Sequence, residues 1–199
     1  MSNDRDDEAT LIVVGENVAL GPLRRDLLST YHRWNNTVST SRTLGLSWPT
    51  TIEQEAAIYG QRSGSASSVY FTVYAAAAQS PVGVAYLYEI DHRHRRATFG
   101  ITIGDAPNRG KGYGTEATRL VLDYAFASLG LSNVMLTVLE FNVAGYRAYQ
   151  KAGFREFGRR ARCSFMNGRL WDLIYMQALA DDVVDAEPGR HGAASLATP

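Results

Sequence analysis

The chain has 199 residues with a formal net charge of zero, which is enough sequence for one domain with a sizeable core. Hydrophobic residues make up 45% and charged residues 20%, a composition typical of a soluble globular protein, and no apolar run reaches the ~18 residues that a membrane span needs. One cysteine allows no intramolecular disulfide and the acidic first residues show no signal-peptide pattern, so we expect a cytoplasmic protein without a membrane partner.

The two ends differ in composition from the rest of the chain. Residues 1–9 and 180–199 each carry four acidic residues against one arginine, so the positive charge lies between them. Both ends are also poor in large apolar residues and bury too little surface to pack. We therefore expect a flexible acidic N-terminus at 1–8, one domain at 9–179 and a flexible acidic tail at 180–199. The positive charge of the domain suits an anionic ligand.

The first half combines helix and strand patterns. The stretch TLIVVGENVALGPL predicts a strand or a bent strand pair, and RDLLSTYHRWNN and TIEQEAAIYGQR predict helices. Three β-rich runs with short connections follow, VYFTVYAAA, PVGVAYLYEID and RATFGITIG. Their spacing is typical of an antiparallel meander.

The second half places a helix after each of two extended segments. A helix is predicted from about Thr115 to Leu129. After the strand NVMLTVLE, a shorter helix is expected from the N-cap Asn142 to the stop at Gly153. The strands REFGRRARCSF and RLWDLIYMQAL complete the pattern. This order predicts an α/β (mixed α+β) fold in which helices cover the faces of a mixed sheet.

The segment NRGKGYGTEA, at residues 108–117, joins the third meander strand to the long helix. Three glycines alternate with other residues there: Gly110, Gly112 and Gly114. A glycine-rich turn that leads into a helix is a ready anion site, because the first backbone N–H groups of a helix have no partner within it. We therefore expect a ligand that carries phosphate.

The spacing of this loop fits neither of two common phosphate loops. The nucleotide P-loop needs a glycine where Asp105 stands and a serine or threonine where Gly112 stands. The dinucleotide fingerprint needs a glycine where Thr115 stands, and an earlier place in the chain. A nucleotide-binding protein is therefore a remote alternative.

The pattern Arg109-x-x-Gly112-x-Gly114 resembles the pyrophosphate loop of the GNAT superfamily, the acetyl-CoA-dependent N-acetyltransferases. The later segment NVAGYRAYQKAGF resembles the second motif of that family, although Gly145 replaces its usual alanine or serine. The pieces RWNNTVSTSR, PTTIEQEA and HRHRRATFGI resemble its RimJ/RimL-like branch. The resemblance covers roughly residues 10–179.

This resemblance implies acetyl-CoA as co-substrate, no metal, and a GNAT-like fold whose mostly antiparallel sheet is splayed at the cofactor site, with helices on both faces. The strand backbone before the loop would bind the pantetheine arm, and the loop would bind the pyrophosphate. The implied cofactor-binding residues are Ile101, Thr102, Ile103, Arg109, Gly110, Lys111, Gly112, Tyr113, Gly114, Thr115 and Asn142. Tyr149 lies two turns beyond Asn142 on the same helix face and is the implied catalytic proton donor to the thiolate.

The general base stays open at this point. The branch often has an acid two residues before the glycine of FGI, but Thr98 stands there. Glu89, Asp91, Glu140 and a chain of water molecules are the alternatives.

Several residues have a simpler structural interpretation. Without its motif, Tyr149 is a core aromatic residue. The His92 and His94 pair lacks a third metal ligand, and Cys163 is expected to be a small buried residue. Four aromatic residues either wall an acceptor pocket or pack the core: Tyr31, Trp34, Trp48 and Trp171.

The sequence is compatible with three functions. The first is transfer of an acetyl group to a primary amine of a small molecule, such as an amino sugar, polyamine, antibiotic or amino acid. The alternatives are a protein N-terminal acetyltransferase, with a peptide N-terminus as partner, and a non-catalytic acyl-CoA-binding module. The aromatic-containing stretch STSRTLGLSWPT, at 39–50, favours a compact acceptor. No nucleic-acid partner is expected, and a homodimer is allowed.

Overall fold

The computed structural model of the chain describes residues 9–38, 40 and 48–182. Its strands are β1 Val13–Val14, β2 Val18–Pro22, β3 Val69–Ala75, β4 Ser80–Asp91, β5 Arg96–Ile103, β6 Asn133–Leu139, β7 Arg155–Met166 and β8 Arg169–Leu179. They form one sheet in the order β1-β2-β3-β4-β5-β6-β8-β7. Every neighbouring pair is antiparallel except β5 and β6. The predicted mixed, mostly antiparallel sheet is confirmed.

The helices are α1 Leu28–Asn35, α2 Ile52–Ser63, α3 Tyr113–Asp123 and α4 Val143–Lys151. A capping box begins α2, in which the Thr51 side chain accepts from the Gln54 N–H and the Gln54 side chain accepts from the Thr51 N–H. The long predicted helix begins two residues earlier than expected, and its last part, Tyr124–Ser128, is a π-helical turn. The predicted order of elements is confirmed.

The helices lie on both faces of the sheet. One face of β4 and β5 packs against α3 in the main hydrophobic core, which includes Leu87, Phe99 and Val121. On the other face, the Arg62 side chain of α2 lies over the Tyr70 ring of β3. The sheet thus separates two chemically different sides, one filled by apolar packing and one that carries tyrosines.

The parallel pair opens into a gap. Pairing between β5 and β6 extends only from Arg96 to Thr98, opposite Asn133 to Met135. Beyond these pairs, β5 continues to Ile103 without β6, while β6 stays paired with β8 as far as Leu139. The expected splay therefore exists, and it begins at Thr98.

Cys163 does not fit its prediction. It is exposed and lies on β7, the strand at the end of the sheet, where the pairing with β8 shifts register between Arg160 and Ser164. An outer strand with irregular pairing leaves its side chains in solvent, so the prediction of a buried cysteine is wrong.

Contacts with the domain continue past residue 179, the boundary expected from composition. The Ala180 N–H donates to the Ser132 C=O at 3.1 Å, and Asp182 lies 3.4 Å from the Arg155 guanidinium. The ends at 1–8 and 183–199 lie outside the described residues, as do residues 39 and 41–47 of the expected acceptor segment 39–50. Among the residues that are described, no helix has the length and hydropathy to cross a membrane.

Candidate active site

The edge of β5 that faces the gap carries backbone groups that do not pair with β4. The Gly104 N–H donates to the Val82 C=O at 2.9 Å, which places Gly104 in a hydrogen-bonded pair with β4. Such pairs alternate with non-hydrogen-bonded pairs along an antiparallel ladder. The register therefore turns the backbone of Thr102 toward β4 and the backbone groups of Ile101 and Ile103 toward the gap. Of the three strand residues expected to bind pantetheine, two thus turn their backbone N–H and C=O groups toward the gap.

The glycine-rich loop has a backbone that only glycine adopts easily. Gly110 has φ +74° and Gly112 has φ +85°, and a Cβ on either would meet no protein atom within 4 Å. Gly112 is the N-cap of α3, and the first helical bond runs from the Glu116 N–H to its C=O at 3.1 Å. The N–H groups of residues 113–115 precede that bond and point out of the helix start. Within the described parts of the chain, the loop thus offers N–H donors and open space to an anion.

Other loop residues support this shape. Lys111 is exposed, and Thr115 is half-buried. Tyr113 packs against the hydrophobic core, and a Cβ at Gly114 would lie 3.6 Å from Ile103, so the helix start packs directly against the end of β5. Lys111 therefore carries the exposed positive charge of the loop.

Arg109 holds the loop from inside. Its guanidinium donates to the C=O groups of Ile103 at 3.2 Å and Gly104 at 2.9 Å, and to the Thr40 hydroxyl at 2.7 Å. The side chain expected to supply charge to the ligand is therefore used to fasten the loop to the end of β5. The backbone of Arg109 can still bind a phosphate, and its positive charge can still attract one without direct contact.

Asp105 fastens the same loop to α1. Its carboxylate accepts a hydrogen bond from the Trp34 indole N–H at 3.0 Å and another from the Arg33 guanidinium. These two bonds, that from Trp34 foremost, hold the pKa of Asp105 below its ordinary value. A Cβ at Gly104 would overlap the Trp34 ring, so the ring lies directly against the strand. The loop and α1 therefore form one connected unit.

Asn142 begins α4, as its N-cap role predicts. Its side-chain oxygen accepts from the Gly145 N–H at 3.0 Å. A Cβ at residue 145 would lie 2.6 Å from the amide nitrogen of Asn142. The replacement of the usual alanine or serine by Gly145 therefore lets the Asn142 amide fold closely over the first turn.

Tyr149 lies beside the gap with its hydroxyl unused. Its ring packs edge-to-face against Phe99 of β5, with centroids 6.3 Å apart, and against Phe154 at 6.1 Å. Within the described residues, its hydroxyl has no hydrogen-bond partner. Burial, with a smaller contribution from Tyr86, raises the pKa of Tyr149 above its ordinary value. The phenol therefore stays protonated at neutral pH and can donate a proton.

A row of tyrosines lies on the face opposite the core, and the sequence argument did not find it. The Tyr70 and Tyr86 rings stack with centroids 5.0 Å apart, and Tyr88 follows at 5.8 Å from Tyr86. Tyr86 lies opposite Gly100, where a Cβ would overlap its ring. The available signal was the alternation Tyr86-x-Tyr88 opposite a strand glycine. We call Tyr70, Tyr86 and Tyr88 the tyrosine row.

The three carboxylates considered as bases differ in their partners. Asp91 accepts from the His94 N–H at 3.0 Å and lies 3.5 Å from Arg96, so it caps the β4–β5 turn. Glu140 pairs with Arg159 at 3.8 Å. Glu89 accepts from the Thr98 hydroxyl at 3.0 Å, at the point where β5 and β6 separate.

The remaining candidates lie away from the gap or in the core. Tyr31 and Trp34 are buried packing residues, Trp48 is exposed, and Trp171 packs against Phe141. His92 lies in the exposed turn between β4 and β5. Over the described ranges, no three His, Cys, Asp or Glu side chains are grouped so as to hold a metal ion.

Comparison with known proteins agrees with this geometry. Residues 17–155 match a family model described as an acetyltransferase (GNAT) domain. The chain is similar to spermidine N(1)-acetyltransferase of Escherichia coli strain K12, with 31% identity over 160 residues that cover 80% of this chain and 84% of that protein.

Solved structures are similar over most of the chain. The crystal structure of spermidine N-acetyltransferase from Vibrio cholerae in complex with CoA and spermine has a TM-score of 0.79 and 27% identity, and the match covers 85% of this chain and 99% of that one. A dodecameric structure of spermidine N-acetyltransferase from the same organism has a TM-score of 0.74 and 27% identity, covering 87% and 99%. Assignment to the RimJ/RimL-like branch stays a prediction.

We predict that Gly112→Val weakens CoA binding by about tenfold or more, a loss of about 1.4 kcal/mol, because the valine side chain enters the space that the loop leaves for phosphate. Calorimetric titration with CoA measures this loss. Gly168→Val is the matched control, since Gly168 also has a positive φ, +79°, and open space around its Cβ, but lies in the β7–β8 turn. Equal CoA affinity of the two folded variants would remove the loop from the binding site.

We predict that Tyr149→Phe lowers kcat by about 10²- to 10⁴-fold, the usual range for a general acid. CoA affinity should stay within a few-fold of wild type, because the ring and its packing against Phe99 are kept. Steady-state kinetics and a CoA titration measure the two effects. Tyr146→Phe on the same helix is the control, since the Tyr146 hydroxyl bonds Glu156 at 3.0 Å on the exposed surface. Wild-type turnover in Tyr149→Phe would show that another group protonates the sulfur.

Proposed function

The chain belongs to the GNAT acetyltransferase family, and on that premise we propose that its acceptor is a small polycationic amine of the polyamine class. The chain is an acetyl-CoA-dependent N-acetyltransferase that acts on a small-molecule amine. The proposal adds the chemical class of the acceptor and the residues that receive it.

The observation that carries this proposal is the tyrosine row. A cation already lies on it, since the Arg62 guanidinium is 5.0 Å from the centroid of the Tyr70 ring. Ring faces attract ammonium groups through their negative quadrupole. Tyr86 is the next ring along and is the neighbour of Tyr149 that adds to its raised pKa. A chain of ammonium groups laid along the row would therefore bring one amine to the gap, and Tyr149 lies on the other side of the gap, against Phe99.

The similarity to spermidine N-acetyltransferases supports the same class of acceptor. An amino sugar or a peptide N-terminus carries one ammonium group and gains little from a row of aromatic faces. A flexible polyamine carries several, separated by apolar methylene groups that pack well on tyrosine. The tyrosine row thus favours the polyamine over acceptors that carry a single ammonium group.

In the proposed reaction, the loop from Arg109 to Thr115 binds the pyrophosphate of acetyl-CoA. The backbone of Ile101 and Ile103 hydrogen-bonds the pantetheine arm, and an N–H on this edge polarises the thioester carbonyl. Asn142 bonds the arm from the start of α4. Tyr149 then gives its proton to the departing sulfur.

We also propose that the enzyme assembles from several copies of the chain in the cytoplasm. A dodecameric structure exists for the similar Vibrio cholerae enzyme. The β7–β8 hairpin of this chain exposes three large apolar side chains, Phe157, Phe165 and Leu170. Such a surface is typical of contacts between subunits.

An acceptor panel tests the proposal. Thiol release is measured with acetyl-CoA and, in turn, spermidine, butylamine, glucosamine and a peptide with a free N-terminus. We expect kcat/KM for spermidine to exceed that for butylamine by about tenfold or more, since added cation–π contacts are worth about 0.5–2 kcal/mol each. A preference for glucosamine or the peptide contradicts the polyamine class. CoA binding without thiol release from any amine would favour the non-catalytic module.

A pair of variants connects that preference to the tyrosine row. Tyr86→Leu should lower the ratio of kcat/KM for spermidine to that for butylamine by about 2- to 30-fold, because one aromatic face is lost. Tyr175→Leu is the control, since Tyr175 packs against Phe157 on the β7–β8 hairpin. An unchanged ratio in Tyr86→Leu would separate the row from acceptor recognition.

A further inference from the structure

We propose that Glu89 is the general base of this reaction and receives the proton of the acceptor ammonium through a bridging water molecule. The inference rests on the proposed function, because it concerns the same acceptor site. β5 has no acidic residue, since Thr98 stands where the branch often has one. The proposal therefore takes the basic carboxylate from β4.

The carboxylate lies where the gap opens. The Thr98 hydroxyl donates to it at 3.0 Å, and Thr98 is the last residue of β5 that pairs with β6. Thr98 also lies directly opposite Tyr88 of β4, and opposed residues of a sheet share a face. Glu89 therefore reaches the face that carries the tyrosine row, at the apex of the gap that would hold the thioester.

The backbone of Glu89 departs from a regular strand to reach this place. In a regular strand, successive side chains point to opposite faces, so residue 89 would face away from Tyr88. The pairing of β4 with β5 shifts register between Tyr88 and Asp91, and Glu89 has φ +53°. Such a conformation is rare for a residue with a side chain and is found preferentially at functional sites. Here it turns the carboxylate toward Thr98.

The partners of Glu89 leave its charge available. The Thr98 hydroxyl is neutral, and within the described parts of the chain no lysine, arginine or histidine pairs with the Glu89 carboxylate. Another carboxylate of the described residues near this face, that of Glu55, already has polar partners. Glu55 is buried and bonded to Asn35 at 2.8 Å, with Arg62 at 3.8 Å.

The titratable groups around Glu89 do not compete for the role. Tyr88 precedes it, and burial raises the pKa of that phenol, with the charge of Glu89 adding to the shift. Asp91 and Arg96 pair with each other across the turn at 3.5 Å. Glu89 is thus the exposed carboxylate beside the tyrosine row that lacks a cationic partner among the described residues.

The reaction needs a group that removes a proton from the acceptor ammonium, and the Glu89 carboxylate can do this. A protonated primary amine cannot attack, so one proton must leave the ammonium for the water held by Glu89. The free amine then forms the C–N bond at the thioester carbonyl carbon, and the C–S bond breaks as Tyr149 protonates the sulfur. The second amine proton returns to the Tyr149 phenolate. The products are the acetylated amine and CoA thiol, and the proton on Glu89 passes to solvent.

Three variants test the assignment with spermidine and acetyl-CoA. Glu89→Gln should lower kcat/KM at neutral pH by about 10²-fold or more, with CoA affinity unchanged. The loss should shrink as pH rises toward the pKa of the amine, because the free amine is then already present. Glu140→Gln is the matched control, since its carboxylate pairs with Arg159, and should keep wild-type kcat/KM.

The double variant Glu89→Gln with Thr98→Glu tests whether a carboxylate at this place is sufficient, whichever residue carries it. The two side chains touch at 3.0 Å, so a carboxylate carried by residue 98 enters the same space and should restore at least about a tenth of wild-type kcat/KM. Wild-type activity in Glu89→Gln, or a loss that is the same at every pH, overturns the assignment. A wild-type chain that acetylates no amine overturns the proposed function instead.

Discussion

The site depends on one parallel pairing that stops early. β5 and β6 share three residue pairs, and then β6 stays with β8 while β5 continues with β4 alone. Backbone N–H and C=O groups of a strand interior need partners, and the open edge of β5 can pair with a ligand that carries amide groups. The pantetheine arm of acetyl-CoA supplies such groups. We therefore propose that the opening of the sheet creates the binding site for the arm.

Two anchors hold the glycine-rich loop beside this gap. Arg109 fastens the loop to the last carbonyls of β5, and Asp105 fastens it to Trp34 of α1. The tyrosine row lies on the face where the α2 side chain of Arg62 covers Tyr70. The glycine-rich loop, the strand edge and the tyrosine row are thus parts of one connected arrangement. In the proposed reaction, the reacting atoms meet near Thr98, where the strands separate.

The sequence predicted the order of elements and the loop because both depend on local patterns, such as glycine spacing at Gly110 and Gly112 and the N-cap at Asn142. It did not predict the tyrosine row or the contact of Glu89 with Thr98, because these depend on the register between β4 and β5. The sequence suggested charge from Arg109 at the ligand, but the guanidinium bonds the carbonyls of β5, a long-range choice that spacing does not encode. The exposure of Cys163 likewise follows from its place on the outer strand.

The central claim is that acetyl-CoA binds in the gap between β5 and β6 with its pyrophosphate on the glycine loop. Residue-resolved amide hydrogen exchange with and without CoA tests this most directly. The account predicts slowed exchange at the amides of residues 113–115 and at those of Ile101 and Ile103, with Thr102 unchanged because its amide already bonds β4. Protection confined to another surface, or equal protection of all three strand residues, would contradict it.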